Sequence, residues 1–324
     1  MILTRRGFLA GSGAALCATA LQATTPDLLQ IEGPAFGARW RVRAAMGTDA
    51  AAVARAMMRV IETIDAAMSP FRAGSEISAF NRAETTDWLP LSPVALTTVA
   101  EAHRIAAQTQ GAFDPTFGGL TGRYGFGPIT GTPEGAFQDL ALGSDCARKA
   151  HARQTLDLCG IAKGHALDQC AEALRSRGLE TFFIELGGEV TASGLKPDTS
   201  PWRAAIERPL SGPSASHCVV SLRSEALATS GDLINSYVLA GHRYSHIIDP
   251  RRMAPSDSAL ASVSVFAPRA ITADALATAL FAMGPENGPA FAEQAAVDAL
   301  FLSRDGTGLR EVMTGRFADR IVVG

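Results

Sequence analysis

Three groups of residues have types and spacing that suit chemistry. The first is Gln154 to Leu174, QTLDLCGIAKGHALDQCAEAL. Residues 154–158 read as a short strand, Cys159 and Gly160 as a sharp turn, and residues from Lys163 to Leu174 as a helix with apolar spacing, stopped near Gly178. A strand–glycine–helix junction offers free backbone N–H groups, the positive end of a helix dipole and here the Lys163 ammonium, which together suit a phosphate. Asp157, just before the turn, is placed to accept hydrogen bonds from a ligand. A tight turn with a solvated lysine is the alternative. The second group is Asp274 and Thr278, four residues apart on one helical face. A carboxylate and a hydroxyl presented together make half of a hard, oxygen-ligand site of the kind Mg²⁺ takes, completed by water and substrate phosphate. Equally, Asp274 is a helix-start charge and Thr278 a bystander. The third is His246, whose imidazole can accept a proton near neutral pH or serve as a structural histidine bonded to backbone.

The elements that must position these groups follow from patterning. Residues 29–43 contain the alternation Arg39-Trp40-Arg41-Val42-Arg43, a strand, preceded by a loop over residues 33–37. Residues 48–68 have helical apolar spacing, ended by Ser69-Pro70. Residues 75–81 form a short capped helix. Residues 91–110 form a longer one, with Ser92 as cap and Pro93 first. Residues 111–128 mix glycine with aromatics, which argues against regular structure; they are either a loop closely approaching a flat ligand or a surface loop packed by its own rings. Residues 131–145 read as a solvated Gly/Pro/Asp-rich stretch. Strands follow at residues 181–186, 201–209 and 217–222, a small-residue turn at 226–231, and an extended segment at 243–249. A strand at 260–267 leads to a helix capped by Thr272 and running to about Met283. A last helix over residues 288–299 and further strands complete the chain. Strands come in runs as well as alternating with helices, so the expected class is α+β.

Composition narrows the function classes. A chain of 324 residues that is 47% hydrophobic and 19% charged has ample core for one large domain or two smaller ones. Its net charge is −3 and no basic stripe stands out, so no nucleic-acid partner is expected. No apolar run is long enough for a membrane span in the mature chain. Residues 1–23 read as an export signal. Arg5-Arg6-Gly7-Phe8-Leu9 is a twin-arginine signature before a Gly/Ala-rich stretch, with candidate cleavage positions at Ala18/Ala20 or Leu21/Ala23. Leu16 before Cys17 is not small, against acylation. The folded unit is then residues 24–324, exported to the periplasm. The remaining cysteines, Cys146, Cys159, Cys170 and Cys218, form no CxxC or Cys/His pair, and free thiols are expected. There is no GxGxxG, no Walker loop and no hydrolase elbow around Ser230.

Read jointly, the segments Met68-Ser69-Pro70-Phe71 with SEISAFN, GAFDPTFGGL, YGFGP, LDLCGIAKGHALD, IELGGEV, ALATSG, SHIIDP and ADALATALFAMG come in one order that closely resembles the ApbE family, the FAD:protein FMN transferases. The resemblance spans roughly residues 33–303. It implies an ApbE-type α+β fold of mixed or antiparallel sheets flanked by helices, in two lobes with the flavin site between them. It implies Mg²⁺-dependent cleavage of FAD and transfer of the FMN half to a Thr or Ser of a target flavoprotein, with loss of AMP. By position, Asp274, Thr278 and the Gly160 carbonyl look like metal ligands. Phe36, Phe71, Ala112, Phe113, Asp114, Asp157, Lys163 and Ile248 fall where the family contacts FAD. His246 matches the histidine thought to help deprotonate the acceptor hydroxyl.

Three places depart from the family pattern. Phe36-Gly37-Ala38 replaces Met-Gly-Thr, Cys159-Gly160 replaces Gly-Gly, and Arg251-Arg252-Met253-Ala254-Pro255 replaces Arg-Thr-Gly-x-Pro. With the twin-arginine signal, the chain is similar to the NosX-like subgroup associated with the membrane flavoprotein of nitrous oxide respiration, which would make a membrane electron-transfer subunit the acceptor. A metal-dependent FAD pyrophosphatase and a non-catalytic FAD carrier are the alternatives the residues leave open.

Overall fold

The computed structural model describes residues 28–210, 215–240 and 242–323. The predicted export signal and Cys17 lie outside them. Strands β1 (Leu28–Ala35) and β2 (Ala38–Ala45) form a hairpin whose tip, Phe36-Gly37, has positive φ at both residues. The predicted loop at residues 33–35 is therefore strand, and only two residues turn. Helix α1 (Ala50–Met68) is capped by the Asp49 carboxylate, which accepts from the Ala52 amide at 3.0 Å, and stops at Ser69 because Pro70 follows. Helix α2 (Glu76–Arg82) is capped by Ser75. Strand β3 (Leu89–Pro90) precedes α3 (Pro93–Gln108), which Ser92 caps with proline at the first position. Between residues 111 and 128 lies a short helix, α4 (Gly118–Arg123), where irregular chain is predicted. Strands β4 (Leu140–Leu142) and β5 (Cys146–Lys149) then pair with each other. Phe137 and Leu140 are buried, so the stretch read as solvated in fact carries core residues.

Residues 154–158 form no strand, and helix α5 (Cys159–Arg175) already includes Cys159 and Gly160. Gly178, in the left-handed region at φ 79°, ends the turn that follows, as its type predicts. Strands β6 (Phe182–Leu186) and β7 (Glu189–Ser193) flank the Gly187-Gly188 turn, and β8 (Trp202–Glu207) and β9 (Ser216–Leu222) follow. Residues 226–231 are strand β10 (Ala226–Gly231), not a turn. A small hairpin, β11 (Ser236–Leu239) and β12 (His242–Ser245), precedes the short strands β13 (Ile248–Asp249) and β14 (Ala254–Pro255). Strand β15 (Leu260–Ala267) leads into α6 (Ala270–Gln294), which breaks at Gly284 (φ 83°) before Pro285. Strands β16 (Asp298–Asp305), β17 (Gly308–Thr314) and β18 (Ile321–Val323) close the chain.

An eight-stranded sheet, ordered β1-β2-β6-β7-β10-β15-β16-β17 with antiparallel neighbours, organises the molecule. Alternation sends Phe182, Ile184 and Leu186 toward one face and Phe183 toward the other. The first face packs under α1, α3, α5 and α6. The second packs on the three-stranded sheet β18-β9-β8 through Trp202, Ile206, Val220, Leu222 and Phe317. Covered on both faces, β15 is buried at every position, which explains its apolar run. The class is α+β. Among the described residues Cys146, Cys159, Cys170 and Cys218 are free.

Candidate active site

Helices α5 and α6 hold each other's polar ends. Asp168 on α5 accepts from the first two amides of α6, Ala270 at 2.7 Å and Ile271 at 3.2 Å. That replaces the predicted Thr272 cap; the Thr272 hydroxyl instead donates to Glu101. In return Asp274 on α6 accepts from the Gly164 amide of α5 at 2.8 Å. The helix starts earlier than predicted, so Asp274 sits at its fifth residue, beyond the first turn. The approach needs glycine. A Cβ at Gly164 would lie 2.3 Å from the Ala270 carbonyl oxygen, and one at Gly160 would lie 3.2 Å from the Thr278 hydroxyl.

This closeness assembles an oxygen cluster. The Thr278 hydroxyl lies 3.5 Å from the Gly160 carbonyl oxygen and 3.2 Å from the Ser230 hydroxyl of β10. The buried Asp274 carboxylate stands one turn away on the same helix; burial raises its pKa, opposed by Lys163 and by the Gly164 amide. Among the described residues no group of three or more His, Cys, Asp or Glu side chains could hold a metal. A cation here would lean on carbonyl, hydroxyl and phosphate oxygens with a single carboxylate. That donor chemistry fits Mg²⁺, which keeps water and takes substrate phosphates, better than softer metals.

Beside the cluster, Lys163 donates to the Oε1 of Glu189, the first residue of β7. Glu189 is buried and its Oε2 has no hydrogen-bond partner. Burial pushes this carboxyl up to about 7, against the pull of Lys163. Burial alone would lower the Lys163 pKa, but the Glu189 and Asp274 charges more than offset it and the net shift is upward. At the start of α5, Asp157 accepts from the Cys159 amide at 3.0 Å.

His246 comes from the segment after the β11–β12 hairpin. Its Nδ1 lies 3.0 Å from the Asn235 carbonyl oxygen. A carbonyl only accepts, so Nδ1 carries the proton and Nε2 is left with a lone pair. Burial first, then the Lys163 charge, lowers the His246 pKa below the ordinary imidazole range, which keeps the ring neutral near pH 7. Phe126 packs edge-on to the ring at 6.3 Å and stacks on Tyr237 at 5.2 Å, which in turn stacks on Tyr244 at 5.4 Å.

Every residue singled out in the sequence lines one cleft of ≈ 1470 Å³. Phe36 and the largely exposed Phe71 face it from the β1–β2 tip and the end of α1. Ala112, Phe113, Asp157 and Ile248 contribute wall, with Gly160, Lys163, Asp274 and Thr278 at one corner and His246 beside Phe126. Asp114 also borders the cleft, but its carboxylate is engaged within its own loop, accepting from Thr116 N at 2.8 Å, Thr116 Oγ1 at 2.6 Å and Phe137 N at 3.2 Å. Sequence reasoning missed Glu189, the Asn235 carbonyl and Phe126. Glu189 directly follows a Gly-Gly turn whose φ angles of 62° and 105° only glycine takes freely, and that turn was its signal. Asn235 acts through its backbone, which no side-chain pattern reveals.

Comparison with known proteins identifies the family. Residues 36–301 match the ApbE family. A Vibrio cholerae FAD:protein FMN transferase is 33% identical over 307 residues, covering 90% of this chain and 92% of the relative. The Escherichia coli K12 protein of the same description is 28% identical over 319 residues, with 91% and 90% covered. Among solved structures, the Vibrio cholerae flavin transferase ApbE superposes with a TM-score of 0.81 at 32% identity, over 91% of this chain and 99% of that one. The apo Pseudomonas stutzeri flavinyl transferase ApbE gives 0.82 at 30% identity, over 92% and 98%. Fold, ordered motifs and these matches agree: the chain belongs to the ApbE family.

Proposed function

We propose that this protein transfers FMN from FAD to a Thr or Ser hydroxyl of a target flavoprotein and releases AMP. The observation that carries the reading is the meeting, in one cleft, of a phosphate-suited corner and a histidine with a free lone pair. His246 Nε2 takes the proton of the acceptor hydroxyl. That oxygen bonds to the FMN-side phosphorus, the anhydride P–O bond breaks, and AMP leaves with its electron pair. Lys163 presents its ammonium to the pyrophosphate, and Phe36, Phe71 and Phe113 give the flavin apolar wall. Asp274, Thr278 and the Gly160 carbonyl would hold Mg²⁺, which when bound screens charge growing on the phosphates.

The twin-arginine signature at Arg5-Arg6 supports a periplasmic location on this reading, with a membrane electron-transfer subunit as acceptor, as in the NosX-like subgroup. No helix among the described residues is long and apolar enough to cross a membrane. The test is intact-mass analysis of candidate flavoproteins from cells with and without the gene. One added FMN on a Thr- or Ser-containing peptide, appearing only with the gene, is expected. Free FMN with unlabelled acceptors would instead identify an FAD pyrophosphatase, and bound FAD left intact with Mg²⁺ a carrier.

A further inference from the structure

Glu189 has no part in the chemistry above, yet it lies under the phosphate corner with one carboxylate oxygen paired to Lys163 and the other unpartnered. Burying a carboxylate this way is costly unless its charge is used. The Gly187-Gly188 turn, with φ of 62° and 105°, places it there. The corner therefore holds two carboxylates, Glu189 and Asp274, against the one ammonium of Lys163. Without a cation its charge is net negative, and the ammonium that should meet a pyrophosphate is already paired with a carboxylate. A divalent cation beside Asp274 reverses the sign.

We propose that Glu189 makes binding of a dinucleotide pyrophosphate conditional on the divalent cation, by holding Lys163 neutralised until the cation arrives. The inference rests on the flavin-transfer reading of the cleft. It also explains a carboxylate at a site meant for anions. An ammonium left without the Glu189 carboxylate would attract free FAD and released phosphate products without the cation, a ground-state affinity that does nothing for the chemical step.

The experiment is a flavin-fluorescence titration of the purified protein at pH 8, with FAD in EDTA, with FAD in Mg²⁺, and with riboflavin as a ligand without phosphate. The wild-type protein is expected to bind FAD at least about tenfold more tightly with Mg²⁺ than in EDTA. Glu189→Gln keeps shape and a hydrogen-bond acceptor but removes the charge. It is expected to tighten FAD binding in EDTA about tenfold, the scale of one partly buried unit charge near the phosphates, and to leave riboflavin binding unchanged. Glu189→Ala must act in the same direction. FAD affinity in EDTA that is unchanged or weaker in both variants overturns the inference. So does an equal change for riboflavin, which would mark Glu189 as a packing residue. Failure of the wild-type protein to bind FAD under either condition would overturn the flavin reading itself, and this inference with it.

Discussion

At the residue scale the account turns on which side chains must be charged and which neutral. On the proposed function, His246 works only while its Nε2 lone pair is free. Burial lowers its pKa, so on acidification the active form persists below the usual imidazole range before protonation removes it. The acid limb of the pH–kcat/KM profile should therefore fall below about 6.5; a limb above that value would contradict the assignment. His246→Ala should lower kcat about 10²- to 10⁴-fold with FAD affinity nearly unchanged, the usual range for losing a positioned base, as single-turnover and binding measurements would show. Asp274→Ala should abolish Mg²⁺-dependent turnover, and unchanged turnover would reject Asp274 as a ligand. That His246, Asp274, Thr278 and Lys163 line one cleft was legible only from the order of the motifs, since type and spacing left each with a structural alternative. Glu189 was not, because its importance comes from a neighbour 26 positions away in sequence.

At the element scale the site exists because α5 and α6 come unusually close. Gly164→Ala puts a methyl group 2.3 Å from the Ala270 carbonyl oxygen and must push the helices apart. Overpacking of this kind costs about 1–3 kcal/mol, and here the displacement would also separate Asp274 from Gly160. Urea unfolding should show the loss. Helix α5 also carries His165, buried between the Thr98 hydroxyl at 2.6 Å from Nδ1 and the Gln169 amide at 3.2 Å from Nε2. Thr98 gives its proton to the Val94 carbonyl, so the imidazole donates through Nδ1, accepts through Nε2 and is fully satisfied when neutral. Burial lowers its pKa to about 4. The unfolded chain then binds the extra proton first, and stability is lost as pH falls from about 6.5 toward 4. Between pH 7 and pH 5 the loss is about 2 kcal/mol relative to His165→Gln, in which that contribution vanishes. A pH dependence identical in both proteins would contradict this. Helices with side-chain caps, such as α1 to α3, were legible because Asp49, Ser75 and Ser92 announce them. Strand β10 was not: ALATSG looks like a turn, yet it lies between β7 and β15 and under α6, where Ala228 packs on Ala273 and only small side chains fit. Tertiary packing overrode its low strand propensity.

At the scale of the whole molecule, the sheet separates two tasks. Its helical face carries the helices that bring Lys163, Asp274 and Thr278 to the cleft, and the three-stranded sheet braces the other side through a second core. The α+β class was legible from runs of strands, but the eight-strand order was not, because it depends on pairings between distant strands. A ligand bridging several elements should stabilise them together. FAD with Mg²⁺ at about 100 times Kd should add about 2.7 kcal/mol, which for a chain of this length raises the melting temperature by about 4 °C. FAD in EDTA should do much less. The most direct test of the central claim is a crystal soaked with FAD and Mn²⁺ and measured at the manganese edge. The account predicts an anomalous peak in contact with Asp274, Thr278 and the Gly160 carbonyl, with both flavin phosphates between it and Lys163. A manganese peak elsewhere, or a pyrophosphate turned away from that corner, would contradict it.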